Sequence, residues 1–218
     1  MDPDDVIAAL GEVLGAERAA RLDAVAASRL GGVVVVLENL HDPHNGGAAL
    51  RSSEAIGLYE VRVVGTPLRF SERVTQGCEK WLHLAADADI DACARELKPR
   101  GFRLYAAVPG AAAALEELDP VEPAAFLIGN EHAGLTPRAR ELADREYRIP
   151  LHGFSQSVNL SVATALTVYT HATRRRRALG REGDLDEAAL KKLRAAYYAK
   201  DLRGADAIVE RWRRDHSR

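Results

Sequence analysis

The chain has 218 residues, enough for one globular domain with terminal additions or for two small domains. Hydrophobic residues make up 47% and charged residues 28%, the balance of a soluble chain that buries a core, and no apolar run approaches a membrane span. The formal net charge of −2 gives no hint of a polyanionic partner, and the two cysteines, Cys78 and Cys93, lack Cys-x-x-Cys spacing, which argues against zinc and fits a reducing compartment.

In chain order, residues 6–14 and 17–28 read as two alanine-rich helices. Gly31 and Gly32 punctuate the change to a β-branched apolar run at 33–37, the pattern of a central parallel strand. A loop with Asp42, Pro43, Asn45, Gly46 and Gly47 leads into a helix over 48–56, with Gly57 as its C-cap. A second strand follows at 61–64. Residues 65–81 read as irregular and polar, long enough for a functional loop. Then come a helix at 90–97, a strand at 102–107, a weak helix at 111–118 and a short apolar strand at 125–128. Pro137 opens a helix to about residue 143, 147–149 is a strand, and a long helix over 159–177 is ended by Gly180 and Gly183. Helices at 186–198 and 205–214 lie outside the alternation.

Strands alternating with helices predict an α/β fold with a mainly parallel sheet. The expected organisation is an N-terminal helical extension (1–30), a central domain (31–178) and a basic, helical C-terminal extension (179–218). No basic, apolar and small-residue succession opens the chain, so a cytoplasmic protein without a leader is expected. Positive charge gathers at both ends: Arg18, Arg21 and Arg29 near the start, then Arg174, Arg175, Arg176 and Arg177, and finally Arg211, Arg213, Arg214, His216 and Arg218. Such clusters suit phosphate contacts or simply solvated helix faces.

The chain contains no G-x-G-x-x-G, no P-loop, no G-x-S-x-G elbow and no metalloprotease histidine pair. Three polar, glycine-bearing loops that follow apolar strands are the candidates for chemistry, because ligands of open α/β sheets gather at strand carboxyl ends. They begin at His41, Gly129 and Ile149. Taken singly, each residue has a plain structural explanation. Asn45-Gly46-Gly47 suits a turn and helix entry, Arg51 a helix surface, Glu131 the first turn of a helix, and Ser157 or Asn159 the N-cap of the long helix.

Together the three loops resemble, in order and spacing, the three sequence motifs of SPOUT-class RNA ribose methyltransferases, the SpoU/TrmH family. LENLHDPHNGGAALRSSEAIG (37–57) is similar to the first motif, FLIGNEHAGL (126–135) to the second and IPLHGFSQSVNLSVATAL (149–166) to the third. RLDAVAASR before the first strand and IVERWRRDH near the end resemble the terminal segments of the TrmH branch.

The resemblance implies a deep trefoil knot in the C-terminal half, a homodimer, and S-adenosylmethionine-dependent 2′-O-methylation of a tRNA ribose, at the D-loop guanosine of position 18. Methylation of 23S rRNA or of another tRNA site, and a non-catalytic RNA-binding protein on the same fold, are the alternatives. It implies that Arg51 activates the hydroxyl, that Asn45 positions Arg51 or the ribose, that Glu131 orients partner donors, and that Ser157 and Asn159 hold the third loop. S-Adenosylmethionine is expected against Gly129, Ile149, Leu151, Val158 and Ala107. The RNA is expected at His44, Arg174, Arg175, Arg176, Arg177, Arg211, Arg213 and Arg214. No metal and no membrane are implied.

Overall fold

The structure, a computed structural model, describes residues 1–65 and 72–216. Part of the loop expected at 65–81, and Arg218, therefore lie outside the described residues. In chain order the elements are α1 (Pro3–Leu14), α2 (Ala16–Ala27), β1 (Leu30–Glu38), α3 (Pro43–Ile56), β2 (Leu58–Val64) and α4 (Glu72–Thr75). There follow β3 (His83–Asp87), α5 (Ile90–Leu97), β4 (Arg103–Ala107), β5 (Ala113–Ala114) and β6 (Ala124–Ile128). The chain continues through α6 (Pro137–Leu142), β7 (Arg145–Arg148), α7 (Leu160–Leu179), α8 (Glu187–Asp201) and α9 (Ala205–His216). Among the described residues no helix is long and apolar enough to cross a membrane.

Two compact units emerge: Leu30–Arg181, and a unit made jointly by Met1–Arg29 and Glu182–Arg218. In the second unit α1 packs on α8 and α9, and α2 on α8. Leu10, Leu22, Ala26, Tyr197 and Val209 are among its buried residues. Arginines predicted as free positive charge are spent inside it. Arg29 is buried and donates its Nε to Tyr197 Oη at 2.9 Å. Arg18 donates its Nε to Asp201 at 2.9 Å, and Arg213 Nε pairs with Asp5 at 2.8 Å.

The larger unit is an α/β sheet of seven strands in the order β3-β2-β1-β6-β4-β7-β5, every pair of them parallel. Central strands buried on both faces read as continuous apolar runs, and Val33–Leu37 and Ala124–Ile128 are fully or almost fully buried. One layer packs the sheet against α3 and α7, the other against α5 and α6. Gly31 and Gly32 lie inside β1, where the register with β2 shifts between Leu30 and Val34.

Three sequence expectations need correction. Helix α3 starts at Pro43, not at residue 48: Asp42 caps it by accepting the His44 N–H at 2.8 Å, and proline at N1 gives up no hydrogen bond. The segment 111–118 forms no α-helix and keeps only a 3-10 turn at Leu115–Glu117. Arg148 donates to the carbonyls of Ala111 and Ala112, which a helix would use, and Arg174 donates to that of Leu118. Ala113–Ala114 instead joins β7 as an edge strand. The described part of 65–81 holds the short α4 and a 3-10 turn at Cys78–Trp81, and β3 follows it as a strand that the sequence pattern does not predict.

The arginine run on α7 is also structural for the most part. Arg175 is 6% exposed and donates to the carbonyls of Pro120, Val121 and Glu122 at 3.0, 2.7 and 3.1 Å. Arg176 donates to Ile56 O at 2.9 Å, at the end of α3. Arg175 is therefore not placed to contact phosphate, and Arg174 and Arg176 hold chain segments against α7. Arg175→Ala is expected to cost about 2–3 kcal/mol of stability in urea unfolding by removing a buried side chain and its three hydrogen bonds to the 120–122 carbonyls, and to leave the salt slope of RNA binding unchanged.

His171 sits in the core between α7 and the sheet. Its ring lies 4.8 Å from Phe126, and among the described residues neither ring nitrogen has a hydrogen-bond partner. Burial, with help from Arg175 and Arg174, lowers its pKa from 6.5 to about 4. The unfolded chain then binds a proton that the folded chain refuses, so stability falls as pH drops from about 6.5 to about 4. His171→Phe is expected to flatten that fall, read as urea midpoints at pH 7 and at about pH 4.5.

Candidate active site

The carboxyl ends of β1, β6, β4 and β7 meet near the middle of the sheet, where the strand order departs from chain order. Such a switch leaves a crevice beyond the strand ends. A cavity of about 370 Å³ opens there, within the range of small-molecule sites. Its walls are residues 107–109 after β4, 128–134 after β6 and 147–149 with Leu151 after β7, closed by residues 156–158 and the start of α7. Ala107, Gly129, Ile149, Leu151 and Val158 all line it, as do Glu131 and Ser157.

Gly129 shows why the wall after β6 has its sequence. A Cβ on Gly129 would overlap the Gly134 carbonyl carbon and the Leu135 nitrogen, because the chain folds back on itself there. Asn130 closes the turn by accepting the His132 and Ala133 N–H groups at 2.9 and 2.7 Å, and it bridges to Gly134. Glu131 thus lies in a tight turn and not in a helix, so its expected contribution to a helix dipole is corrected.

The far end of the turn is anchored by Glu38, which is 2% exposed at the end of β1. Its two oxygens accept from Thr136 N at 2.8 Å and Thr136 Oγ1 at 2.7 Å, and Thr136 in turn caps α6. Sequence reasoning passed over Glu38 and Asn130. The signal was present for Glu38, since a carboxylate ending an otherwise apolar buried strand needs a partner.

The three candidate loops are joined by one directional line of hydrogen bonds. Asn45 Nδ2 donates to Glu131 Oε1 at 2.6 Å, and Asn159 Nδ2 donates to Asn45 Oδ1 at 3.0 Å. Asn159 Oδ1 accepts from Ser161 N at 2.8 Å and Ser161 Oγ at 2.6 Å, which makes Asn159 the N-cap of α7. Glu131 as a carboxylate only accepts, so Asn45 must turn its NH₂ toward Glu131 and its oxygen toward Asn159. The other oxygen, Glu131 Oε2, is buried without a partner among the described residues.

Ser157 is exposed and is not the cap. Arg51 is exposed on α3, six residues beyond Asn45 and therefore on a different face. Among the described residues no hydrogen bond or ion pair ties it to the line. His44 is exposed in the first turn of α3, and Arg177, Arg211 and Arg214 are exposed.

Residues 32–169 match the SpoU rRNA Methylase family. The chain is 37% identical over 166 residues to the tRNA (guanosine(18)-2'-O)-methyltransferase of Thermus thermophilus, covering 74% of this chain and 84% of that protein. It is 33% identical over 164 residues to the protein of the same name from Escherichia coli, covering 74% and 72%. The crystal structure of the Aquifex aeolicus TrmH/SpoU tRNA modifying enzyme superposes with a TM-score of 0.75 at 29% identity, over 86% of this chain and 98% of that one. With the family match spanning all three loops of the site, this chain belongs to the SpoU methylase family.

Proposed function

We propose that this protein is an S-adenosylmethionine-dependent 2′-O-methyltransferase acting on a tRNA ribose, at the D-loop guanosine of position 18. The observation that carries the reading is the Glu131–Asn45–Asn159 line, which binds three separate loops into one polar edge beside the cavity. The tRNA assignment is supported by the relatives' activity and by their coverage of most of the chain.

The cavity suits the cofactor. It is large enough, and it has apolar walls at Ala107, Ile149, Leu151 and Val158 for a purine, with Glu131 among its lining residues. When bound, S-adenosylmethionine supplies a methyl group already activated on a sulfonium. The protein's remaining work is alignment and charge stabilisation. Asn45 and Asn159 present fixed amides to the acceptor sugar, Glu131 locks their orientation, and Ser157 faces the same cavity. Arg51 acts as a positive charge on the developing 2′-oxyanion and on the neighbouring phosphate.

The expected trefoil knot is part of this proposal. It is supported by the interleaved strand order, in which β6 inserts between β1 and β4, and β7 between β4 and β5. So is the homodimer. Val162, Leu166 and Tyr169 are 45, 40 and 63% exposed and recur along one side of α7, an apolar stripe suited to a second copy. Arg177, Arg211 and Arg214 are the exposed arginines proposed to contact phosphate, and replacing each should reduce the salt slope of tRNA binding by about one. The free cysteines Cys78 and Cys93 fit a cytoplasmic setting.

Calorimetry with S-adenosylmethionine, followed by incubation with unmodified tRNA transcript, tests the reading. Cofactor binding with methyl transfer to RNA is expected. Binding of RNA without binding of the cofactor would instead identify a non-catalytic RNA-binding protein on this fold.

A further inference from the structure

His41 and His132 come from different loops, yet their rings meet edge to face, with centroids 5.3 Å apart and planes at 86°. Both are exposed, and His132 lines the cavity. Neither belongs to the Glu131–Asn45–Asn159 line. Both are nonetheless held by it or beside it. His132 follows Glu131 in the turn closed by Asn130. His41 stands between Leu40, whose side chain is buried, and Asp42, which caps α3. Two surface imidazoles on backbone fixed this firmly form an open right-angled corner: one ring offers a face, the other an edge.

We infer that this corner seats the nucleobase of the nucleotide being methylated, making His41 and His132 positioning residues for the acceptor. The inference rests on the methyltransferase reading above. If the 2′-hydroxyl lies at the Asn45–Asn159 edge, the base on the same sugar projects beside that edge, where a flat partner is needed and where the corner lies. Unstacked bases in single-stranded RNA are commonly held on aromatic or histidine rings. A stack on one ring with an edge contact to the other fixes rotation about the glycosidic bond, and with it the direction of the 2′-oxygen.

The test is steady-state methyl transfer to tRNA transcript by wild type, His41→Ala, His132→Ala, His41→Phe and His132→Phe. Cofactor affinity is measured in parallel by calorimetry. Each alanine variant is expected to lose about tenfold in kcat/KM for RNA, the size of one lost base–ring stack, with cofactor affinity unchanged. The phenylalanine variants should recover most of that loss, because the ring is kept and only its nitrogens go.

A transcript with an abasic ribose at the acceptor position completes a double-mutant cycle. On it, wild type should fall to the level of the alanine variants, and those variants should fall no further. Alanine variants equal to wild type overturn the inference, as do phenylalanine variants no better than alanine, or additive losses on the abasic transcript. Wild type that transfers no methyl to any RNA overturns the underlying functional reading instead. Thermal melting of the four variants serves as the control for folding.

Discussion

Arg51→Ala is expected to lower methyl transfer by about 10³-fold while S-adenosylmethionine binds as before, since a lost charge donor acts on the transition state and not on the cofactor. The expectation follows from position. Arg51 is exposed on α3 and does not line the cavity, so the substitution leaves the cavity walls intact. No hydrogen bond or ion pair to another described residue is removed either, so stability should change little. Arg51→Lys keeps a positive charge but loses the planar fork that grips phosphate, and should recover only part of the rate. Calorimetry and labelled methyl transfer on the same preparations decide the matter. Equal loss of cofactor affinity and rate would contradict the assigned role.

Gly129→Ala should have the opposite signature, a collapse of cofactor binding. The new methyl group meets backbone at Gly134 and Leu135, and backbone cannot swing aside as a side chain can. The turn must open, and Glu131 and His132 move with it. Loss of binding by at least about tenfold is expected, with an overpacking cost of about 1–3 kcal/mol in unfolding. Gly153→Ala supplies the comparison. Gly153 is exposed in the third loop, a Cβ there meets nothing within 4 Å, and the substitution should leave the cofactor affinity near that of wild type. Unchanged affinity in Gly129→Ala would mean that the turn after β6 does not shape the cofactor site.

Much of the sheet is legible in the sequence because its central strands are buried on both faces. The run at 33–37 and the run at 125–128 can be little else, and α5 begins and ends where its pattern and Asp89 cap place it. The outer strands are less legible for a reason visible in β2 and β3. Arg62 donates to Asp87 at 2.7 and 2.8 Å and to Glu60 at 2.6 Å, and Arg100 donates to Glu60 at 2.7 Å. Glu60 is 1% exposed and Arg62 6%, so charged residues stand where an apolar pattern looks for hydrophobes. Burial alone would raise the Glu60 pKa, but hydrogen bonds from Arg100 and Arg62 outweigh it and hold the carboxyl below its ordinary range. A buried ion network satisfied in this way leaves no trace in a hydropathy reading.

The site divides along the same line. The glycine-bearing loops could be located from the strands before them. That Asn45, Glu131 and Asn159 form one hydrogen-bonded line could not, because the residues are 86 and 114 positions apart in the pairs concerned. The arginine run at 174–177 misled for a related reason. Consecutive arginines look like a phosphate-binding strip, yet on a helix they point in different directions, and three of the four meet backbone carbonyls. Of the four, Arg177 alone is exposed.

Transfer of labelled methyl groups from S-adenosylmethionine to an unmodified tRNA transcript, with mapping of the modified nucleotide, tests the central claim most directly. The label is expected on the ribose 2′-oxygen of the D-loop guanosine, and it should vanish when that guanosine is replaced. Label on a base or on another nucleotide, or no transfer by protein that binds the cofactor, would contradict the account.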